Sequence, residues 1–335
     1  MMKTLIFILF ALAMTFNAGA RAEPLVACKG ADLMAELLRD KPDEFDAIMK
    51  EGRAEPNGKG LLWKITKDGT PPSYLFGTMH VTDARLLDLP QAVSSALDGA
   101  TTVAVENTDV MDPAAIASEM SKLAHLMVFT DGSDLNTHLS KADQDILRQA
   151  AEVFQFSYDN LVPLKPWLVA TMLALPRCET NRNTAGELFL DKAIVKRAAK
   201  NGVKAVGLET VGEQFNAMAS LPMASQLVFL TSSARHAAQA EDFLETMIVL
   251  YLNRETGAIA AMSNHFGVDS AAAKDAYLAF REGLVDKRNL TMVKRATPIL
   301  EKGGAFIAVG ALHLIGEKGL VELFRAAGYE VSAAW

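Results

Sequence analysis

The chain has 335 residues, with 33 lysines and arginines against 40 aspartates and glutamates, and it contains only two cysteines. Half of the residues are hydrophobic and 22% are charged, which excludes a disordered chain, a collagen-like repeat and a small disulfide-held scaffold. The formal net charge of −7 argues against a broad basic surface, so no nucleic-acid partner is expected.

The N-terminus has the pattern of a cleavable secretory signal. Lys3 precedes an apolar run from Leu5 to Phe16 that is too short to span a bilayer, and small residues lead to the cleavage pattern Ala20-Arg21-Ala22. Residues 1–22 are therefore predicted to be removed, and an uncleaved anchor helix is the alternative. This predicts a periplasmic or secreted protein whose mature chain does not span the membrane.

Export would place the two cysteines, Cys28 and Cys178, in an oxidising compartment. An even pair in an oxidising compartment is usually bridged, so a disulfide between them is predicted. The alternative is a lipoprotein, because Leu25-Val26-Ala27-Cys28 resembles the site at which a cysteine is acylated. Lipid attachment is the less favoured reading, because charged and proline residues separate this segment from the apolar run.

The elements that follow predict an α/β fold with a mainly parallel sheet. Short helices are expected over 31–38, 89–97 and 316–327, and two long helical stretches over about 110–201 and 211–302. Because these two stretches far exceed a simple crossover, they are predicted to form a helical cap on a single domain over residues 23–335. The predicted strands cover 61–66, 73–76, 101–105, 204–208, 305–309 and 329–332.

Two segments share the order strand, Gly-x-x-His, helix, strand. The first carries Gly77 and His80, and the second carries Gly310 and His313. Glycine at the carboxyl end of a strand allows a sharp turn or a close approach by another group. The histidine three residues later should lie above the carboxyl edge of the sheet, where open α/β sheets place their ligands. The pattern therefore predicts an internal repeat that brings two histidines together.

Two glutamates end strands in the same way, namely Glu106 after Val105 and Glu209 after Leu208. A carboxylate directly after a buried strand is poorly explained by packing, because carboxylates avoid burial unless they are paired. Two histidines with one or two carboxylates form a ligand set suited to Zn²⁺, Mn²⁺, Co²⁺ or Fe²⁺. The alternatives are structural: Glu106 could cap a helix or pair with an arginine, and Glu209 could open a helix.

The chain resembles the TraB/GumN family, which is related to the Tiki proteases and more distantly to the erythromycin-esterase and ChaN-like group. The resemblance is carried by Gly77-Thr78-Met79-His80, Val103 to Glu106, Gly207-Leu208-Glu209-Thr210, Arg288-Asn289 and Gly310-Ala311-Leu312-His313. It implies an α/β fold and a divalent metal, with Mn²⁺ or Co²⁺ favoured. It also implies that Arg288 and Asn289 belong to the site, where the arginine would stabilise charge.

Two functional hypotheses follow. The first is an exported metal-dependent hydrolase of the peptidase class, acting on a peptide or protein substrate. In it His80, His313 and Glu106 hold the metal, while Glu209, Arg288 and Asn289 assist catalysis. The second is a non-catalytic protein that binds or inhibits a peptide or another exported factor, with the histidines serving as hydrogen-bonding groups.

Overall fold

A six-stranded mixed sheet forms the centre of the protein in the computed structural model, which describes residues 27–267 and 270–335. The predicted signal peptide over residues 1–22 lies outside the described residues. All six predicted strands form, with ends that differ from the prediction by at most two residues. The strands are β1 Leu62–Thr66, β2 Ser73–Thr78, β3 Thr102–Val105, β4 Ala205–Gly207, β5 Ala305–Gly310 and β6 Glu330–Ala333.

The strand order β4-β3-β5-β2-β1-β6 makes the sheet mainly parallel, as predicted. Strands β4, β3, β5 and β2 run parallel to one another, whereas β1 is antiparallel to both of its neighbours, β2 and β6. The hairpin prediction for residues 61–76 is thereby confirmed, because β1 and β2 pair through the turn that contains Asp68-Gly69.

Helices cover both faces of the sheet, which explains why the central strand β5 is apolar throughout. Every residue of β5 is buried. Phe306 and Ala308 pack into one hydrophobic cluster, while Ile307 and Val309 pack into a second cluster on the opposite face. A parallel sheet buried in this way reads as a continuous hydrophobic run rather than as an alternating one.

The described chain is mostly helical. The N-terminal pair is followed by two short helices between β2 and β3. Two further groups of helices separate β3 from β4 and β4 from β5, and one helix precedes β6. The helices are α1 Leu33–Asp40, α2 Pro42–Ala54, α3 Ala84–Leu87, α4 Gln91–Asp98, α5 Pro113–Lys122, α6 Ala124–Met127, α7 Leu135–His138, α8 Lys141–Phe154, α9 Tyr158–Leu161, α10 Pro166–Ala174, α11 Arg177–Thr184, α12 Leu190–Lys200, α13 Val211–Ala219, α14 Met223–Arg235, α15 Ala240–Leu252, α16 Thr256–Gly267, α17 Ala271–Phe280, α18 Lys287–Leu300 and α19 Leu320–Ala326.

The two long helical insertions pack against each other in a core of their own. This third hydrophobic cluster contains residues from α8, α10, α13, α14 and α17 and none from the strands. Trp167 and Phe215 lie at its centre in an edge-to-face contact, with 5.5 Å between their ring centroids. These helices of the two insertions therefore share a core apart from the sheet, whereas α12, α15 and α16 pack in the first cluster and α18 in the second. The helical cap stays a prediction.

The two Gly-x-x-His segments follow neighbouring parallel strands. Strand β2 pairs with β5 in a register that places Thr78 opposite Gly310, so the two segments leave the sheet at the same edge. The strands that close the two predicted repeats have different neighbours, because β3 pairs with β5 and β6 pairs with β1. The two segments share a strand followed by Gly-x-x-His at one sheet edge. The rest of the predicted repeat stays an interpretation of the sequence.

A disulfide joins Cys28 to Cys178, with 5.3 Å between their Cα atoms, and it links the start of the described chain to α11. The bridge uses the sulfur that a lipid anchor at Cys28 would need, and disulfides persist mainly in oxidising compartments. None of the helices in the described residues is long and apolar enough to cross a membrane.

Candidate functional site

Four ionisable side chains reach one edge of the sheet from the carboxyl ends of its parallel strands. Glu106 follows β3 and Glu209 follows β4, while His80 and His313 follow β2 and β5. Parallel strands end at a common edge, so the sequence pattern suffices to bring these positions together. Glu106, Glu209 and His313 are buried, whereas 16% of the His80 side chain is exposed.

Glu106 lies at the centre of the cluster. Its Oε1 atom is 3.7 Å from the Nε2 atoms of both His80 and His313, and it accepts a hydrogen bond of 2.5 Å from the backbone N–H of Gly310. Its Oε2 atom accepts hydrogen bonds from Arg288 Nη2 at 2.8 Å and from Gln214 Nε2 at 3.2 Å. Glu106 is thus held by both an arginine and the strand that carries the second Gly-x-x-His segment.

Each histidine is oriented through its Nδ1 atom. His80 Nδ1 is 2.8 Å from Asp191 Oδ2, and His313 Nδ1 is 2.6 Å from Asn289 Oδ1. These partners are fixed in turn, because Thr78 donates to the other oxygen of Asp191. Carboxylate and amide oxygens accept, so the hydrogen-bond network assigns the Nδ1 proton to each ring. The Nε2 atoms are therefore the ones presented to Glu106.

The two imidazoles have opposite electrostatic surroundings. Burial lowers the pKa of His80, but the carboxylates of Asp191 and Glu106 outweigh it and raise the value to about 10. Burial together with the charge of Arg288 lowers the pKa of His313 to about 3. Burial alone would raise the pKa of Glu106, yet Arg288 and the two imidazoles hold it well below the usual range. At neutral pH the site thus contains a protonated His80 and a neutral His313 beside an ionised Glu106.

Arg288 joins the two glutamates. Its guanidinium donates to Glu106 and forms three hydrogen bonds with Glu209, two of 3.0 Å from Nε and one of 2.6 Å from Nη2 to Oε2. Its Nη1 atom donates to the carbonyl of Leu284 at 3.0 Å, within a π-helical turn over Arg281–Asp286 that precedes α18. The alternative in which Glu106 pairs with an arginine is therefore present in the structure, together with the approach of both histidines.

Glu209 shares the guanidinium of Arg288 with Glu106. Burial raises the pKa of this carboxyl, although Arg288 opposes that effect. Glu209 and Arg288 line an open cleft of about 620 Å³ between α13 and the π-helical turn, in which Gly283 approaches Leu221. The alternative that Glu209-Thr210-Val211 opens a helix is also present in the structure, because Thr210, directly after Glu209, caps α13 through a capping box with Glu213.

Two residues of the site, Asp191 and Gln214, have no functional signal in the sequence. Asp191 lies in the first turn of α12, where an acidic residue is ordinary and gives no functional signal. Gln214 lies in the first turns of α13 and is itself held by the side chain of Asn107. Only the tertiary structure brings these polar groups to Glu106 and His80.

The donor types at this edge suit a metal, although the donors do not form a closed group. Ligands of a tetrahedral metal with bonds of 2.0–2.2 Å lie about 3.3–3.6 Å apart, so separations of 3.7 Å are slightly wide. In residues 27–267 and 270–335, no three or more His, Cys, Asp or Glu side chains are arranged as a metal-binding group. Rings oriented through Nδ1, with Nε2 directed at a carboxylate, are the usual arrangement around protein-bound metals.

The fold and site define a protein with an α/β sheet whose carboxyl edge carries histidines and glutamates, and the family can be stated more closely. A model of the TraB/PrgY/gumN family matches residues 61–333, and the chain belongs to that family. The match covers all six strands and every candidate site residue, and it agrees with the resemblance seen in the sequence.

The curated relatives are named metalloproteases. The chain is 26% identical over 320 residues to "Metalloprotease TIKI2" of Danio rerio, which covers 81% of this chain and 60% of the relative. It is 24% identical to "Metalloprotease TIKI2" of Xenopus tropicalis, over 93% of this chain and 67% of the relative. It is also 24% identical to "Metalloprotease TIKI1" of Homo sapiens, over 90% of this chain and 66% of the relative. The chain thus spans about two thirds of the length of these relatives. No solved structure shows significant similarity to it.

Proposed function

We propose that this protein is an exported, metal-dependent hydrolase of the peptidase class. His80, His313 and Glu106 would hold a divalent metal, with Mn²⁺ or Co²⁺ favoured over Zn²⁺. The observation that carries the proposal is the convergence of two oriented imidazole Nε2 atoms on one carboxylate oxygen, each at 3.7 Å. The names of the curated relatives support the metal and the peptide substrate.

The electrostatics of the cluster support a cation at this position. His313 is neutral and donates its Nδ1 proton to Asn289, so it directs the lone pair of Nε2 toward the ionised Glu106. Two electron-rich atoms that face each other in a buried site are stabilised by positive charge between them. Neutral imidazole is the form that binds metals, so His313 is in the required form, whereas His80 would give up its Nε2 proton when the metal binds.

A bound divalent metal would supply a Lewis acid and a water of lowered pKa. The protein's own residues have the remaining tasks. Asp191 and Asn289 hold the imidazole rings in place, and Arg288 keeps Glu106 and Glu209 in fixed positions. Glu209 is suited to accept a proton at its carboxylate, because burial raises its pKa. Arg288 would contact developing negative charge from the cleft that it lines.

The test is metal analysis of the purified protein together with His80→Ala and His313→Ala. We expect each variant to lose metal while circular dichroism shows a retained fold. The matched control is His125→Ala, which removes an exposed imidazole whose ring bonds the carbonyl of Lys122. Full metal content in both site variants would overturn the assignment of the ligands.

The alternative is a peptide- or factor-binding protein without catalysis. It is favoured by one observation, namely that Glu106 is already engaged by Arg288 and Gly310 and does not complete a three-donor group. A peptide-library assay with Mn²⁺, Co²⁺ or Zn²⁺ separates the two functions, because a hydrolase releases fragments and a binding protein retains intact peptide.

Export is the remaining part of the proposal. The Cys28–Cys178 bridge fits an oxidising compartment, and the signal pattern over residues 1–22 fits export. Mass spectrometry of the mature N-terminus should find a chain that begins at Glu23. A diacylglyceryl group on Cys28 would show a lipoprotein instead and would contradict the disulfide.

A further inference from the structure

The loop that carries His80 is short and is held at both ends. Strand β2 ends at Thr78 and α3 begins at Ala84, and the N–H of Val81 donates to the carbonyl of Met79 at 3.0 Å within the loop. At the strand end, Asp191 accepts hydrogen bonds from both Thr78 and His80.

The far end is held by Glu179, a residue of α11. The N–H of Thr82 donates to Glu179 Oε1 at 2.6 Å, and the hydroxyl of Thr82 donates to Oε2 at 2.8 Å. Glu179 is 1% exposed, and its nearest recorded cation, Arg182, is 4.0 Å away. Burying a carboxylate is costly unless its oxygens are well satisfied, and both oxygens of this one are used on a single loop residue.

The helix that carries Glu179 is itself anchored. Cys178 precedes Glu179 and is joined to Cys28 by the disulfide. The segment after Cys28 is tied to α15, because the N–H groups of Lys29 and Ala31 donate to the carboxylates of Glu241 and Asp242 at 2.7 and 2.8 Å. Glu179 therefore lies on a helix that the disulfide joins to the N-terminal segment, and this segment is bonded to α15.

We propose that Glu179 is a positioning residue that fixes His80 through Thr82. The proposal deepens the function proposed above, because it concerns one of the two histidines assigned to the metal. Glu179 holds the backbone N–H and the hydroxyl of Thr82, two residues beyond His80. Asp191 holds the His80 imidazole and the hydroxyl of Thr78, two residues before it. Together they fix the direction in which Nε2 faces Glu106.

The test compares Glu179→Ala with Glu179→Gln in metal-free protein labelled with ¹⁵N-histidine. We expect Glu179→Ala to shift or broaden the His80 imidazole resonance while the His313 resonance stays in place. Glu179→Gln should restore the His80 signal, because the amide oxygen still accepts from the Thr82 N–H and the amide N–H₂ can donate to its hydroxyl. Thr82→Val, which removes only the hydroxyl bond, should give a smaller shift and is available if Glu179→Ala does not fold.

A second measurement is the affinity for Co²⁺, which we expect to fall about 10- to 100-fold in Glu179→Ala, as is typical when the groups behind a metal ligand are lost. The matched control is Glu255→Gln, which alters another buried carboxylate, paired with Arg53. An unchanged His80 signal, or an equal change at His80 and His313, would overturn the positioning role. A wild-type protein that binds no Co²⁺ would contradict the proposed function alone, because the resonance measurement is made without metal.

Discussion

Arg288 is the residue on which the candidate site depends most for its charge balance. It is buried between Glu106 and Glu209, with contacts of 2.8 and 2.6 Å. We expect Arg288→Met to lower the free energy of unfolding by about 3–5 kcal/mol, because it leaves two buried carboxylates without their cation. Urea denaturation followed by circular dichroism measures this, and Arg288→Met with Glu209→Gln should recover part of the loss.

Arg295 provides the matched control for Arg288. It also forms two short bonds with one glutamate, Glu213, but both side chains are about 40% exposed. An exposed ion pair contributes under about 1 kcal/mol, so Arg295→Met should change the urea midpoint only slightly. Equal losses in the two variants would mean that burial does not determine the contribution of Arg288.

Asp191 is expected to affect metal binding more than folding. Asp191→Ala removes the acceptor for His80 Nδ1, and we expect the affinity for Co²⁺ to fall about 10- to 100-fold in isothermal titration calorimetry. Asp98→Asn is a suitable control. Asp98 forms an exposed ion pair with Arg197, which lies in α12 like Asp191. An unchanged affinity in Asp191→Ala would exclude an orienting role for this carboxylate.

At the residue scale, the sequence predicted which groups lie at the sheet edge but not how they are bonded. His80, Glu106, Glu209 and His313 lie together because each follows the carboxyl end of a parallel strand. Asp191 had no such signal, because it reaches His80 from a helix more than 100 residues away in the chain. Their roles in metal binding and catalysis stay predictions.

At the scale of elements, β2 lies so close to the turn after β5 that position 77, the first residue of the first Gly-x-x-His segment, has room only for glycine. A Cβ atom on Gly77 would lie 3.0 Å from Ala311 Cα and 3.1 Å from Leu314 Cδ2. The carbonyl of Gly77 also accepts a hydrogen bond of 2.6 Å from Tyr251. The expectation that this glycine permits a close approach is therefore confirmed.

Gly77→Ala should destabilise the protein by about 1–3 kcal/mol, because the added methyl overpacks the contact with Ala311 and Leu314. The urea midpoint measures the change. Gly99→Ala is the control, since Gly99 follows α4 with φ −82° and its added carbon would meet one backbone oxygen at 3.2 Å. We expect that control to stay within about 0.5 kcal/mol of the wild type. A neutral Gly77→Ala would show that the two segments can separate without cost.

At the scale of the whole molecule, the disulfide is the main covalent constraint between distant parts of the chain. It closes a loop with a sequence separation of 150 residues. We expect reduction to lower the free energy of unfolding by about 2–5 kcal/mol, because the bridge restricts the unfolded chain. Urea titrations with and without reductant measure this. A Cys28→Ala/Cys178→Ala variant should be insensitive to reductant, and a wild type that is equally insensitive would contradict a structural role.

The sequence by itself determined the order of strands and helices, the parallel sheet, the cysteine pair and the four strand-end side chains. These features follow from local periodicity and from the rule that parallel strands end at one edge. Tertiary structure alone decided which helices supply Asp191, Gln214 and Glu179, and how Arg288 divides its bonds between Glu106 and Glu209. Such contacts join residues about 80 to 180 positions apart, and no local pattern specifies them, because they depend on how the insertions pack over the sheet.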